Sequence, residues 1–293
     1  MNAATSSNIF MEKARAYFDL TKFRLSATVV FSAAVGFVLG SVVLNYGQLA
    51  LFALASFLTT AAANVVNQIL ERDVDKLMKR TADRPLPSGR LSVNEAMVFA
   101  AICLVVSQTI LLTAFNAKAM GIALLSFVLY GFVYTPLKRK GPVAVAVGAL
   151  PGAFPPMIGW LAATNQFGFE PGILFAIQFF WQFPHFWAIA WVLDDDYKKA
   201  GFKLLPSSGG RNINSAIQIM MYTVVLLPLC WVPMFLGMTG EYSAMLAMLL
   251  GVLFLIQTFQ LMREVSTKAA LRLMYGSFIY LPIVQIAYLI DKL

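Results

Sequence analysis

Asn67, Glu71 and Asp75 stand four residues apart in a run that continues into Lys79, Arg80 and Arg84. On a helix this spacing stacks three side chains along one face, about 6 Å apart. Three oxygen donors in a row suit a hard cation, and Mg2+ is held by one or two carboxylates together with waters and phosphate oxygens. The basic residues that follow suit those phosphates. A second acidic run, Asp194, Asp195 and Asp196, leads into Lys198 and Lys199. Alone, either run reads as a solvated loop or a polar boundary. Together they are the parts of a metal–diphosphate site, in which the ester oxygen becomes a good leaving group. The chain has one histidine, His185, so any site needing two imidazoles is excluded. Cys103 and Cys230 both lie in apolar runs and read as small core residues.

The elements that must position these residues follow from composition. Hydrophobic residues make up 59% of the 293, against about 45–50% in a soluble domain. Charged residues are 12%, about half the usual share, and the mean hydropathy is +0.74. Too little polar surface remains to cover a soluble fold, so the chain is an integral membrane protein whose surroundings are lipid. The same figures exclude a disordered chain, a disulfide scaffold and a free nucleic-acid-binding domain. A bilayer needs about 20 apolar residues per helix. Nine such stretches occur, at 25–44, 48–70, 94–114, 118–137, 142–163, 171–193, 214–237, 241–261 and 270–290. Pro151, Pro155, Pro156 and Pro184 fall inside them, which is tolerated where neighbours satisfy the freed backbone groups. No linker divides the chain, so the expectation is one all-α domain, 1–293. Its nine membrane helices surround a central cavity open to the cytoplasm, and residues 1–23 form a cytoplasmic segment before the first helix.

Charge tests that count. The net charge is +8, and with nine spans 20 of the 22 Lys and Arg fall on the side of the N-terminus, leaving Lys118 and Lys292 opposite. The positive-inside rule makes that side cytoplasmic, so the C-terminus lies outside. Both acidic runs then sit on the cytoplasmic face, at the ends of the second and sixth spans, as two similar halves facing across a cavity. Asn67, near the membrane end of its span, is costly there without a purpose.

At these residues the chain resembles the intramembrane, UbiA-type prenyltransferase superfamily, and within it most closely the haem O synthase branch. Asn67, Glu71, Asp75, Met78, Arg80, Thr81, Arg84, Pro85 and Leu86 match its first motif. Tyr134, Thr135, Lys138 and Arg139 match a second, and the run from Trp181 through Pro184, His185, Phe186 and Trp187 to Asp196, Tyr197, Ala200, Gly201, Leu205 and Pro206 a third. The matches keep their order up to the sixth loop, and the last three spans carry little motif content. Two departures are visible. Phe23 replaces the usual proline before the first span, and Glu71 stands where many relatives have aspartate.

The resemblance implies transfer of farnesyl from farnesyl diphosphate to a vinyl group of haem B, with water added, giving haem O. It implies Mg2+ on Asn67, Glu71 and Asp75 and again on Asp195 and Asp196, with Arg80, Arg84, Lys138, Arg139, Lys198 and Lys199 as diphosphate contacts. Tyr134 is either a cation–π partner of the allylic cation or an interfacial-belt tyrosine. His185 either serves the haem, as iron ligand or proton carrier, or is hydrogen-bonded in a helix broken at Pro184. Lys22 and Arg24 are propionate partners or positive-inside anchors. Gly131, Gly148, Gly152 and Gly159 read as close helix packing or cavity lining. Most of the aromatic run from Phe179 to Trp191 reads as packed helix surface. The product would pass to a haem A synthase or a terminal oxidase, and the short N-terminal segment points to a bacterial inner membrane. Two rivals share some of these features: a prenyltransferase for quinone-type acceptors, and a transporter, which would need ionisable residues at mid-span.

Overall fold

The computed structural model describes Ala3–Leu293, with side chains from Met11 onward. The expected segment 1–23 therefore lies partly outside the described residues, at positions 1 and 2. Helix α1 (Ala3–Leu20) precedes α2 (Phe23–Gly40), α3 (Tyr46–Asp75) and α4 (Val93–Ile110). Next come α5 (Ala117–Val128), the single turn α6 (Thr135–Leu137), α7 (Val143–Thr164) and α8 (Phe169–Val192). Short α9 (Asp194–Lys199), α10 (Ile213–Leu229), the turn α11 (Val232–Phe235), α12 (Glu241–Glu264) and α13 (Thr267–Ile290) complete the chain. No strand occurs among the described residues. Nine helices or joined helices there are long and apolar enough to cross a membrane, in the expected order. The boundaries differ in one useful way: α3 runs on to Asp75, so the whole Asn67–Asp75 stripe stays helical.

Helix starts follow sequence signals. Asn45, Ser92, Asn116, Asn212 and Ser266 each accept a backbone N–H of the first turn, and Ser92 forms a full capping box with Glu95. The two basic residues on the far side cap helix ends. Lys118 Nζ donates to the Asn165 carbonyl at 2.7 Å and Lys292 Nζ to the Val38 carbonyl at 2.8 Å, closing the C-terminal ends of α7 and α2.

The middle of the bundle is built by α7, which packs on α2, α5 and α8, while α8 packs on α10 and α13. Close approach of α2 and α7 needs glycine on both. A Cβ at Gly36 would lie 1.9 Å from the Pro156 carbonyl oxygen, and one at Gly159 would lie 2.0 Å from that of Ala33. Pro155 and Pro156 cannot bond the carbonyls of Pro151 and Gly152. Side chains supply the missing donors: Ser126 Oγ reaches Pro151 O at 3.2 Å and Gln178 Nε2 reaches Gly152 O at 2.8 Å. The prolines therefore place polar side chains inside the bundle. The N-terminal segment also folds back, and Ala16 and Leu20 of α1 are buried with Val65, Leu86 and Ala96.

Candidate active site

One face of α3 carries Asn64, Asn67, Gln68, Glu71 and Asp75, all buried. Two of these hold the backbone. Asn64 Nδ2 donates to the Thr21 carbonyl and to Ser26 Oγ, and Gln68 Nε2 donates to the Leu20 carbonyl at 2.8 Å. They fix the turn between α1 and α2, where Lys22 adopts a left-handed conformation, φ 49°. A non-glycine residue there costs about 1 kcal/mol. The conformation sends the Lys22 ammonium to Asn67 Oδ1 at 2.9 Å. Burial pushes that ammonium well below the usual lysine range, and Arg84 and Lys138 push it the same way, against Glu71 and Asp75.

The other three make the site. Asn67 Nδ2 donates to Glu71 Oε2 at 2.9 Å and to Thr135 Oγ1 at 3.1 Å. Glu71 pairs with Lys138 at 2.8 Å, and Asp75 Oδ2 with Arg84 at 2.8 Å. Asp75 is fully buried, and its second oxygen, Oδ1, has no hydrogen-bond partner. Asn67, Glu71, Asp75, Arg80, Arg84 and Lys138 line one cavity of about 700 Å3. An unpartnered buried carboxylate oxygen beside a second carboxylate and an amide is the donor set a Mg2+ ion takes, so these residues fit that ion. Lys22, which the sequence left as an anchor or propionate partner, belongs to the same wall. Its spacing gave no hint, because only the fold-back of α1 brings it to α3.

A second cavity, of about 600 Å3, adjoins the first and shares Leu25, Tyr130, Tyr134 and Phe186 with it. No Asp, Glu, Lys or Arg lines it. His185 does, together with Trp181, Gln178 and Gln285. Helix α8 runs through Pro184 without a break. Tyr134 sits inside the bundle, with the Lys138 ammonium 4.8 Å from its ring centroid. Gly148 makes room for the ring, since a Cβ there would lie 2.6 Å from it. Tyr134 is half-buried and lines both cavities.

The second acidic run lies elsewhere. Neither Asp195 nor Asp196 lines the first cavity, although Leu193 and Tyr197 beside them do. Arg211 pairs with Asp195 at 3.0 Å, and Lys199 with Asp196 at 3.2 Å. Asp194, which is buried, pairs with Lys198 at 2.6 Å. Arg211 Nε also donates to the Trp191 carbonyl, so it ties the run to the end of α8. No cluster of three or more His, Cys, Asp or Glu forms among the described residues. The expected second metal pair, Asp195 and Asp196, thus lies outside the lining of the first cavity, each residue paired with a cation. Arg139, Lys198 and Lys199 are exposed and do not line the cavity, unlike Arg80, Arg84 and Lys138.

Residues 29–281 match the model of the UbiA prenyltransferase family. The chain is 55% identical over 282 residues to a protoheme IX farnesyltransferase of Cytophaga hutchinsonii, covering 95% of this chain and 98% of that one. It is 44% identical to the same-named protein of Christiangramia forsetii, covering 94% and 92%. Among solved structures it resembles a digeranylgeranylglyceryl phosphate synthase, with TM-score 0.80 and 22% identity over 96% of this chain and 98% of that one. It also resembles a UbiA homologue from Archaeoglobus fulgidus bound to GPP and Mg2+, with TM-score 0.67 and 21% identity over 94% and 99%. At such identities the structural likeness establishes the fold.

Proposed function

The chain belongs to the UbiA prenyltransferase family, and we infer that it transfers the farnesyl group of farnesyl diphosphate to a vinyl group of haem B, giving haem O. One observation carries this reading. Two cavities meet at a wall of Tyr130 and Tyr134, one lined by carboxylates and cations and the other by no charged residue. The first suits a diphosphate and the second suits hydrocarbon.

Bound Mg2+, held by Asn67, Glu71 and Asp75, would neutralise charge on the diphosphate. Arg80, Arg84, Lys138 and Lys22 bind the phosphate oxygens and stabilise the negative charge that develops as the allylic C–O bond breaks. The electron pair leaves with the diphosphate. The Tyr134 ring, already 4.8 Å from one cation, faces the carbon left positive. The terminal vinyl carbon of haem bonds to it, water adds at the inner carbon, and that water loses a proton. Apolar walls keep water from the farnesyl cation until then.

His185 serves as axial ligand to the haem iron. A base at this position would become an imidazolium, and no carboxylate lines its cavity to pair with it. A ligand stays neutral. Asp196, next to the cavity residue Tyr197, guards the rim of the diphosphate site. The charge bias of the loops puts the N-terminus and both acidic runs in the cytoplasm and the C-terminus outside, in a bacterial inner membrane. Haem O then goes to a haem A synthase or a terminal oxidase.

The test is incubation of the detergent-solubilised protein with haem B, farnesyl diphosphate and Mg2+. The expected product is a haem heavier by farnesyl plus water, formed only with Mg2+. Prenylation of quinone-type acceptors instead would remove the haem assignment. Absence of any transfer, with diphosphate never released, would reopen the transporter reading.

A further inference from the structure

Helix α13 carries none of the sequence motifs, yet it holds His185. Nδ1 of the imidazole lies 2.8 Å from Oγ of Ser277. The same hydroxyl lies 2.6 Å from the carbonyl oxygen of Met274. A carbonyl has no proton to give, and two oxygens at that separation repel unless a proton lies between them. The Ser277 proton therefore points at Met274, leaving Oγ only lone pairs for the ring. Nδ1 must then be the protonated nitrogen and Nε2 the bare one.

Ser277 also sets the plane of the ring. Its carbonyl oxygen accepts from Trp181 Nε1 at 3.1 Å. Trp181 stacks on the imidazole at 4.5 Å and 17°, and Phe278 meets it edge-on at 4.9 Å and 83°. No other hydrogen bond to the ring is made among the described residues, so Nε2 is free for what occupies the cavity that His185 lines.

We propose that Ser277 is a positioning residue for the haem acceptor: it locks His185 in the Nδ1–H tautomer and presents the Nε2 lone pair to the iron. This rests on His185 being the iron ligand. Donation from Nδ1 raises the basicity of Nε2, as partners of metal-bound histidines do. A serine oxygen is a weaker acceptor than a carboxylate. The resulting iron bond is accordingly one that a substrate can leave, which a resident cofactor does not need.

With one histidine in the chain, ring 15N labelling gives a single pair of resonances. The wild-type protein without haem should show a protonated Nδ1 and a bare Nε2, and a protonated Nε2 would overturn the proposal. Ferrous haem B is then titrated into wild type, Ser277→Ala, Ser277→Thr and His185→Ala, reading affinity and the iron–histidine stretch by resonance Raman. Ser277→Ala should lower the stretching frequency and weaken haem binding roughly 10-fold or more, and Ser277→Thr, which keeps the hydroxyl, should restore both. Mg-dependent binding of farnesyl diphosphate reports whether each variant is folded. A folded Ser277→Ala with wild-type frequency and affinity defeats the role of Ser277 and leaves His185 as ligand. A His185→Ala protein that keeps the wild-type band removes the ligand assignment itself, and the proposal with it. Should Ser277→Ala not fold, the wild-type ring spectrum and the Thr variant decide.

Discussion

Asn67, Glu71 and Asp75 lie on a buried helix face and line a cavity, whereas Asp195 and Asp196 sit at its rim, paired with Arg211 and Lys199. Both runs are acidic and both are followed by basic residues. Geometry separates them. In the first, i, i+4 spacing on a long helix keeps every side chain on one face, and that face meets α1, α2 and α6 through Asn64, Gln68 and Asn67. Its cations come from other elements: Lys138 from the end of the fourth span, Arg84 from the following loop and Lys22 from the fold-back turn. In the second, consecutive Asp residues on a six-residue helix point in different directions. Lys198 and Lys199 of the same helix, and Arg211 from the loop before α10, neutralise them. Acidity is common to both runs; shared direction and partners from several elements distinguish the first.

Substitutions at four positions probe this contrast. Asp75→Ala removes a fully buried carboxylate and strands Arg84, and should lower kcat by about 1000-fold or more while the protein stays helical. Turnover of labelled farnesyl diphosphate with circular dichroism checks it, and activity above a tenth of wild type would remove Asp75 from the machinery. Tyr134→Leu should cost about 30-fold in kcat, the equivalent of about 2 kcal/mol of cation–π stabilisation. Because the diphosphate grip is untouched, KM for farnesyl diphosphate should hold, and Tyr134→Phe should keep most of the rate. Asp196→Ala, at the rim, should lose about 10-fold, with more Mg2+ needed for half-maximal rate. A loss equal to that of Asp75→Ala would show that the second run closes onto the diphosphate in the loaded enzyme, and would erase the contrast. Asp195→Ala should change the rate less than about twofold, as an exposed ion pair is worth little; its side chain is 75% exposed.

Some of the site was legible before any coordinates. The Asn67–Asp75 stripe, Arg80 and Arg84 follow from helical spacing and charge, Lys138 entered through the family resemblance, and the structure gathers them around one cavity. The contact of Lys22 with Asn67 is not legible in the sequence, because it depends on α1 folding back against α3. Ser277 was not seen at all. A serine on an apolar helix carries no pattern, and only the packing of α13 on α8 sets its oxygen against His185. Sequence showed the acids Asp195 and Asp196 but not their partners: Arg211, 16 positions beyond Asp195, pairs with it, and Lys199 pairs with Asp196.

The sequence by itself determined the nine spans and their order, because hydropathy acts residue by residue against lipid and water. It also determined the α3 stripe, because helical geometry is local. Which stripe faces a cavity, which cation meets which carboxylate and which nitrogen of His185 bears the proton were decided only by tertiary structure. Those depend on distances of a few ångströms between side chains far apart in the chain, and hydrogen bonds and ion pairs form or fail over that range.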